Sequence, residues 1–175
     1  MVLQQAQKQT RRALKGKKTA LSTCIETYPG YDGKIDISGS NVIVVFDEED
    51  LDLSFKFNFR GLEKDCRDCG IHIHTGMTCE DADLVGGHYW NSTKVDDPWT
   101  ADGGSVYNSD SDGKALDSFQ LNSGYDAKAN IGHAVVIHAQ DGRVRVGCGV
   151  LSKLDKAAKK CKAKKATKQV PVGPV

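Results

Sequence analysis

The chain has 175 residues, 39% of them apolar, which suits one domain with a sizeable core and short extensions. No apolar run approaches the roughly 20 residues of a membrane helix, so no helical span is expected. The net charge of +1 hides an asymmetry: residues 1–18 carry six Lys/Arg and no acid, residues 19–151 ten Lys/Arg against 22 Asp/Glu, and residues 152–175 eight Lys against one Asp. The expected organisation is therefore an acidic domain, 19–151, between a basic N-terminal arm, 1–18, and a Lys-rich C-terminal tail, 152–175. Such arms read either as solvated termini or as attachments to a polyanion or an acidic protein surface.

In chain order, VLQQAQKQTRRALKGKK is rich in helix formers and predicts a short helix stopped at Gly16. From Thr19 the texture changes to short runs, ALSTCIETY, GKIDIS, NVIVVFDE and LDLSFKFNF, separated by Gly, Asn and Asp, the pattern of antiparallel strands joined by turns. In the last of these, Leu53, Phe55, Phe57 and Phe59 alternate with polar residues, which buries one face and wets the other. GIHIH continues the strands, whereas residues 76–130, dense in Gly, Asp, Asn and Ser, predict a long irregular stretch of the kind that is functional or disordered. GHAVVIHA and RVRVGCGVL are strands again, split by the turn QDG, and the basic tail is helix-permissive up to VPVGPV. The fold class is all-β: an antiparallel β-sandwich or flattened barrel with long irregular loops.

The six cysteines, at 24, 66, 69, 79, 148 and 161, favour an oxidising compartment, extracellular or lumenal, without fixing their pairing. Cys66-Arg-Asp-Cys69 admits a redox or zinc reading; with no second Cys-x-x-Cys and no helix pattern after it, a structural pair is the expectation. Asn91-Ser-Thr is an N-glycosylation sequon, a pattern that also arises by chance. The N-terminus lacks the apolar core of a signal peptide, so an exported form would have lost its leader or would use another signal.

Three of the five histidines fall in GIHIHTGMTCEDADLVGGHYW. Residues i and i+2 of a strand share a side, so His72 and His74 project together while Ile71 and Ile73 face the core. His138, on a second strand, and His88, from the loop, would complete four nitrogen donors, a set that suits copper. Taken alone, H-x-H is a weak signal, since strand histidines also pack or face solvent.

GIHIHTGMTC, VGGHYW, YNSD, GHAVVIHA and GRVRVGCGVL occur in the order found in the copper/zinc superoxide dismutases, which the chain resembles from about residue 19 to 151, most strongly from Gly70 onward. The resemblance implies a Greek-key β-sandwich that binds one copper ion through His72, His74, His88 and His138. It implies Arg145 as the guanidinium that attracts an anionic substrate, and a Cys79–Cys148 disulfide, leaving Cys24, Cys66, Cys69 and Cys161 unassigned. Departures from the family pattern are specific. No histidine lies between His88 and His133, and Tyr107 stands where the last zinc histidine would be. The segment from His138 to Arg145 is a short hairpin without the family's charge-bearing loop, and His133, where an arginine is common, reads as a surface or structural residue. These losses resemble a copper-only branch without zinc, in which the retained Asp110 is expected to accept the hydrogen bond that orients His88. The implied reaction is disproportionation of superoxide to dioxygen and hydrogen peroxide, with His88 supplying protons. The alternative is a non-enzymatic copper-binding or structural protein that keeps the fold for assembly, and on either reading the chain could form a homo-oligomer or larger assembly.

Overall fold

A computed structural model describes residues 18–154; the predicted helices of both arms lie outside the described residues. Among the described residues, ten strands form two five-stranded antiparallel sheets. The first contains β10 (Ser152–Lys153), β1 (Lys18–Cys24), β3 (Asn41–Asp47), β4 (Asp52–Phe59) and β7 (Ala115–Asn122), in that order. The second contains β2 (Glu26–Thr27), β9 (Arg145–Val150), β8 (Ala134–His138), β5 (Cys69–His74) and β6 (Val106–Tyr107). The chain changes sheet between β1 and β2, β2 and β3, β4 and β5, β6 and β7, β7 and β8, and β9 and β10, the crossings of a Greek-key sandwich. A short helix, α1 (Ala127–Asn130), capped by the Asp126 side chain on the Ala129 N–H, precedes β8.

The alternation in β4 does what the sequence requires. Leu53, Phe55, Phe57 and Phe59 are buried, and Phe57 stacks on Phe59 with ring centroids 4.9 Å apart. Ile71 and Ile73 of β5 and Val135 and Ile137 of β8 face them from the other sheet. The outer face of the second sheet is covered as well. Ala134, Val136 and Cys148 pack there against Tyr28 and Val85, the latter carried by the loop after β5. The histidines therefore sit under a loop rather than on open surface.

Four expectations are corrected. GKIDIS is not a strand: Ile37 is buried in the core, but Asp36 closes a turn onto the Ser38 N–H and residues 33–38 belong to no strand. The irregular stretch 76–130 contains β7, which pairs with β4 over its whole length from Asp52↔Asn122 to Phe59↔Ala115. Lys18 and Ser152–Lys153, placed in the arms on sequence, are strand residues, β10 pairing with β1 at Leu21↔Lys153. Asp110 is the fourth correction and belongs to the site.

Candidate metal centre

β5 presents His72 and His74 on one side, and the register His72↔Val136 and His74↔Ala134 places His138 one step further along the same face of β8. Gly70 makes this juxtaposition feasible. A Cβ on it would lie 2.6 Å from His72 Cε1 and 3.6 Å from His138 Cδ2, so only glycine leaves the His72 ring its place. The two rings have centroids 4.8 Å apart.

His88 arrives from the loop. Segment 85–89 docks antiparallel on the end of β5 through Thr75 N–H to Gly87 O (2.8 Å), Gly76 N–H to Val85 O (2.9 Å) and Tyr89 N–H to Ile73 O (2.8 Å). This brings the His88 ring to centroid distances of 4.5 Å from His72 and 5.5 Å from His74. One ligand atom from each of His72, His74 and His138 lies within 4.8 Å of the other two.

Hydrogen bonds fix which nitrogen each ring offers. His74 Nδ1 donates to Gly86 O (2.9 Å) and His138 Nδ1 to Gly142 O (2.7 Å), since a carbonyl can only accept. In the neutral rings Nε2 then keeps its lone pair. His74 Nε2, His138 Nε2 and His72 Nδ1 are all buried and have no hydrogen-bond partner. Each such orphan costs about 1–3 kcal/mol unless something answers it. A cation that takes nitrogen ligands would answer all three neighbouring imidazole nitrogens together, and the donor set suits copper. Burial, reinforced by mutual repulsion and by the Arg145 charge, lowers the imidazole pKa values to about 2 for His72, about 3 for His74 and about 4 for His138. All three rings are thus neutral and ready to ligate at pH 7.

Asp97, which the sequence reading missed, orients His88: its Oδ2 accepts from His88 Nδ1 at 2.8 Å. Its Oδ1 accepts from Trp99 N–H (2.9 Å), and the buried Trp99 indole donates to Tyr89 O (2.8 Å), tying the acid to the backbone beside His88. The only sequence signal was the Asp-Pro-Trp turn, an Asx turn closed by a large apolar anchor. Asp110 does not play the expected part. Its Oδ1 accepts from Asp112 N–H (2.9 Å) and Lys114 N–H (2.8 Å), so its carboxylate organises the turn before β7. Tyr107 is buried and donates its hydroxyl to His138 O at 2.6 Å.

Arg145, first residue of β9, reaches back to the loop. Its Nη2 donates to Gly86 O (2.9 Å), the carbonyl that also receives His74 Nδ1, and its Nη1 donates to the Tyr28 hydroxyl (2.9 Å). Gly86 holds this carbonyl in place with φ +70°, and a Cβ there would run into Thr75 Oγ1. The loop is further pinned by a Cys79–Cys148 disulfide; Cys66 and Cys69 form a second one. His133 stands aside from the cluster, stacked on Tyr89 at 3.7 Å with Nδ1 on His74 O (3.2 Å).

Comparison with protein families matches residues 37–159 to the family described as copper/zinc superoxide dismutase (SODC). Comparison with curated proteins finds no match.

Proposed function

In a chain that belongs to the copper/zinc superoxide dismutase family, we propose a copper-dependent dismutase that works without zinc, converting superoxide to dioxygen and hydrogen peroxide. The observation that carries the copper assignment is the convergence of three buried, partnerless ring nitrogens from His72, His74 and His138, with His88 beside them. Copper, when bound, supplies the one-electron chemistry, oxidising one superoxide and reducing the next.

The chain's own residues do the rest. His72, His74 and His138 present fixed lone pairs from two rigid strands. His88, the proposed fourth ligand, has its Nδ1 held by Asp97, which leaves Nε2 as the nitrogen to bind the metal or to carry a proton to the reduced substrate. Arg145, clamped at both Nη ends, offers a positive charge to a small anion inside a domain whose residues 19–151 sum to −12. A copper carrier or structural subunit has no need of a clamped guanidinium beside its metal, which favours the enzyme over that alternative.

The zinc-free reading is supported by what became of the other family positions. Tyr107 spends its hydroxyl on His138 O and Asp110 spends its carboxylate on a turn. We place the protein in an oxidising compartment, secreted or lumenal, on the strength of its disulfides. No helix among the described residues is long and apolar enough to cross a membrane. Attachment of the Lys-rich tail to a polyanion or acidic surface is a part of the proposal carried by charge alone; truncation after Leu151 should reduce retention on a heparin-type column at low salt. The deciding experiment equilibrates the protein with both metals and measures metal content and dismutase activity. One copper per chain, no stoichiometric zinc, and activity indifferent to zinc are expected; bound zinc beside copper refutes the zinc-free claim, and copper-loaded protein without activity refutes the enzyme.

A further inference from the structure

We infer that Tyr28 is a positioning residue for the Arg145 guanidinium, an inference that rests on the dismutase reading for its catalytic meaning but not for its geometry. Tyr28 follows the short strand β2, and its backbone N–H bonds Val146 O at 3.0 Å, one residue beyond Arg145. Its side chain is buried between the second sheet and the loop after β5. The hydroxyl uses both its capacities: it accepts from Arg145 Nη1 at 2.9 Å and donates to Ala82 O at 3.2 Å. The ring also lies beneath the cation, with Arg145 Cζ 5.7 Å from its centroid.

A guanidinium on a flexible stem is a poor anion receptor until its plane is fixed. Gly86 O holds one Nη group but leaves rotation about that single bond free. The Tyr28 hydroxyl supplies the second fixed point, and because the phenol is itself buried, the clamp costs little further ordering when an anion arrives. Through Ala82 O the same hydroxyl ties the guanidinium to the 3-10 turn Ala82–Leu84, so the position of Arg145 is referenced to the loop that carries His88.

Tyr28→Phe removes the hydroxyl and keeps the ring. In the copper-free protein, the Arg145 side-chain N–H resonances of wild type should show hindered rotation and slow solvent exchange, and Tyr28→Phe should average them; unchanged resonances overturn the inference. In copper-loaded protein, azide serves as the small-anion probe, read from the copper absorption spectrum. Tyr28→Phe should weaken azide binding about 3–10-fold, the scale of one screened hydrogen bond to a charged group. It should have no further effect in an Arg145→Ala background, because its action passes through that guanidinium. A Tyr28→Phe effect that persists undiminished without Arg145 overturns the positioning role in favour of general destabilisation. Wild-type protein whose copper spectrum ignores azide would count against the dismutase reading alone, and the Arg145 resonances would still decide the place of Tyr28.

Discussion

Asp97→Ala should weaken copper binding about tenfold. The carboxylate sits 2.8 Å from His88 Nδ1, and the two side chains are 30% and 28% exposed. A hydrogen bond to a charged group contributes about 1.5–3 kcal/mol when well shielded, and partial exposure takes this to about 1–1.5 kcal/mol. That is a factor of roughly 5–15 in the hold of His88 on the metal, the lower end of the 10–100-fold typical when a ligand's outer partner is lost. Because Asp97 Oδ1 also closes the turn onto Trp99 N–H, alanine disturbs the backbone too. Asp97→Asn separates the effects: the amide oxygen can still accept one bond, so a loss of only a few-fold is expected. Competition with a chelator of known affinity, followed by copper absorption, measures both. Asp110→Ala is the control; it loosens the turn before β7, where the Asp110 carboxylate bonds Asp112 and Lys114 rather than His88, and should leave copper affinity unchanged. If Asp110→Ala weakens copper while Asp97→Ala does not, the reasoning fails.

Gly70→Ala should fold but bind copper at least tenfold more weakly, since the added Cβ at 2.6 Å forces the His72 ring to shift by about 1 Å, beyond the roughly 0.5 Å a preorganised site tolerates; metal titration checks it, and a wild-type affinity would show that the ring has room. Cys79→Ser should cost up to about 4 kcal/mol by loop-closure reasoning, given the 69-residue separation of Cys79 and Cys148, and denaturant unfolding without reductant reads the loss. Stability of the copper-free protein should be flat in pH above about 6.5, where the three buried histidines are neutral folded or unfolded. Below it, the unfolded chain takes up protons that the folded rings, with pKa values of about 2 to 4, refuse, so stability falls as pH falls, by at most about 1.4 kcal/mol per pH unit per histidine. Urea midpoints at pH 7, 6 and 5 test this, and a midpoint insensitive to pH would contradict the burial of the cluster.

Much of the scaffold was legible because period two is an unambiguous signal where one face is apolar. Phe55, Phe57 and Phe59 announced β4, and Ile71 and Ile73 placed His72 and His74 together on the opposite side. β7 escaped because it is an edge strand with almost no buried residues: Leu116 points to solvent at 81% exposure, and Asp117 and Ser118 carry no apolar rhythm. GKIDIS deceived in the other direction: Ile37 is buried in the core and Ile35 packs against it half-buried, so two isoleucines two apart imitate the alternation of a strand in a segment that belongs to none. The four histidines were readable from the family pattern, but the partner of His88 was not. A carboxylate nine residues along an irregular loop is brought back by Trp99 packing and a Pro98 turn, neither of which leaves a periodic trace.

The Gly86 carbonyl has a consequence for how this protein could change. One peptide plane receives both His74, of the candidate metal cluster, and the Arg145 guanidinium proposed to attract the anion, and its torsion is one that side-chain-bearing residues rarely adopt. Tilting that plane would turn the ligand and swing the cation in the same movement. Metal retention and anion capture thus share a single mechanical degree of freedom, and substitutions that reshape the loop around residue 86 cannot trade one against the other: they should rise or fall together.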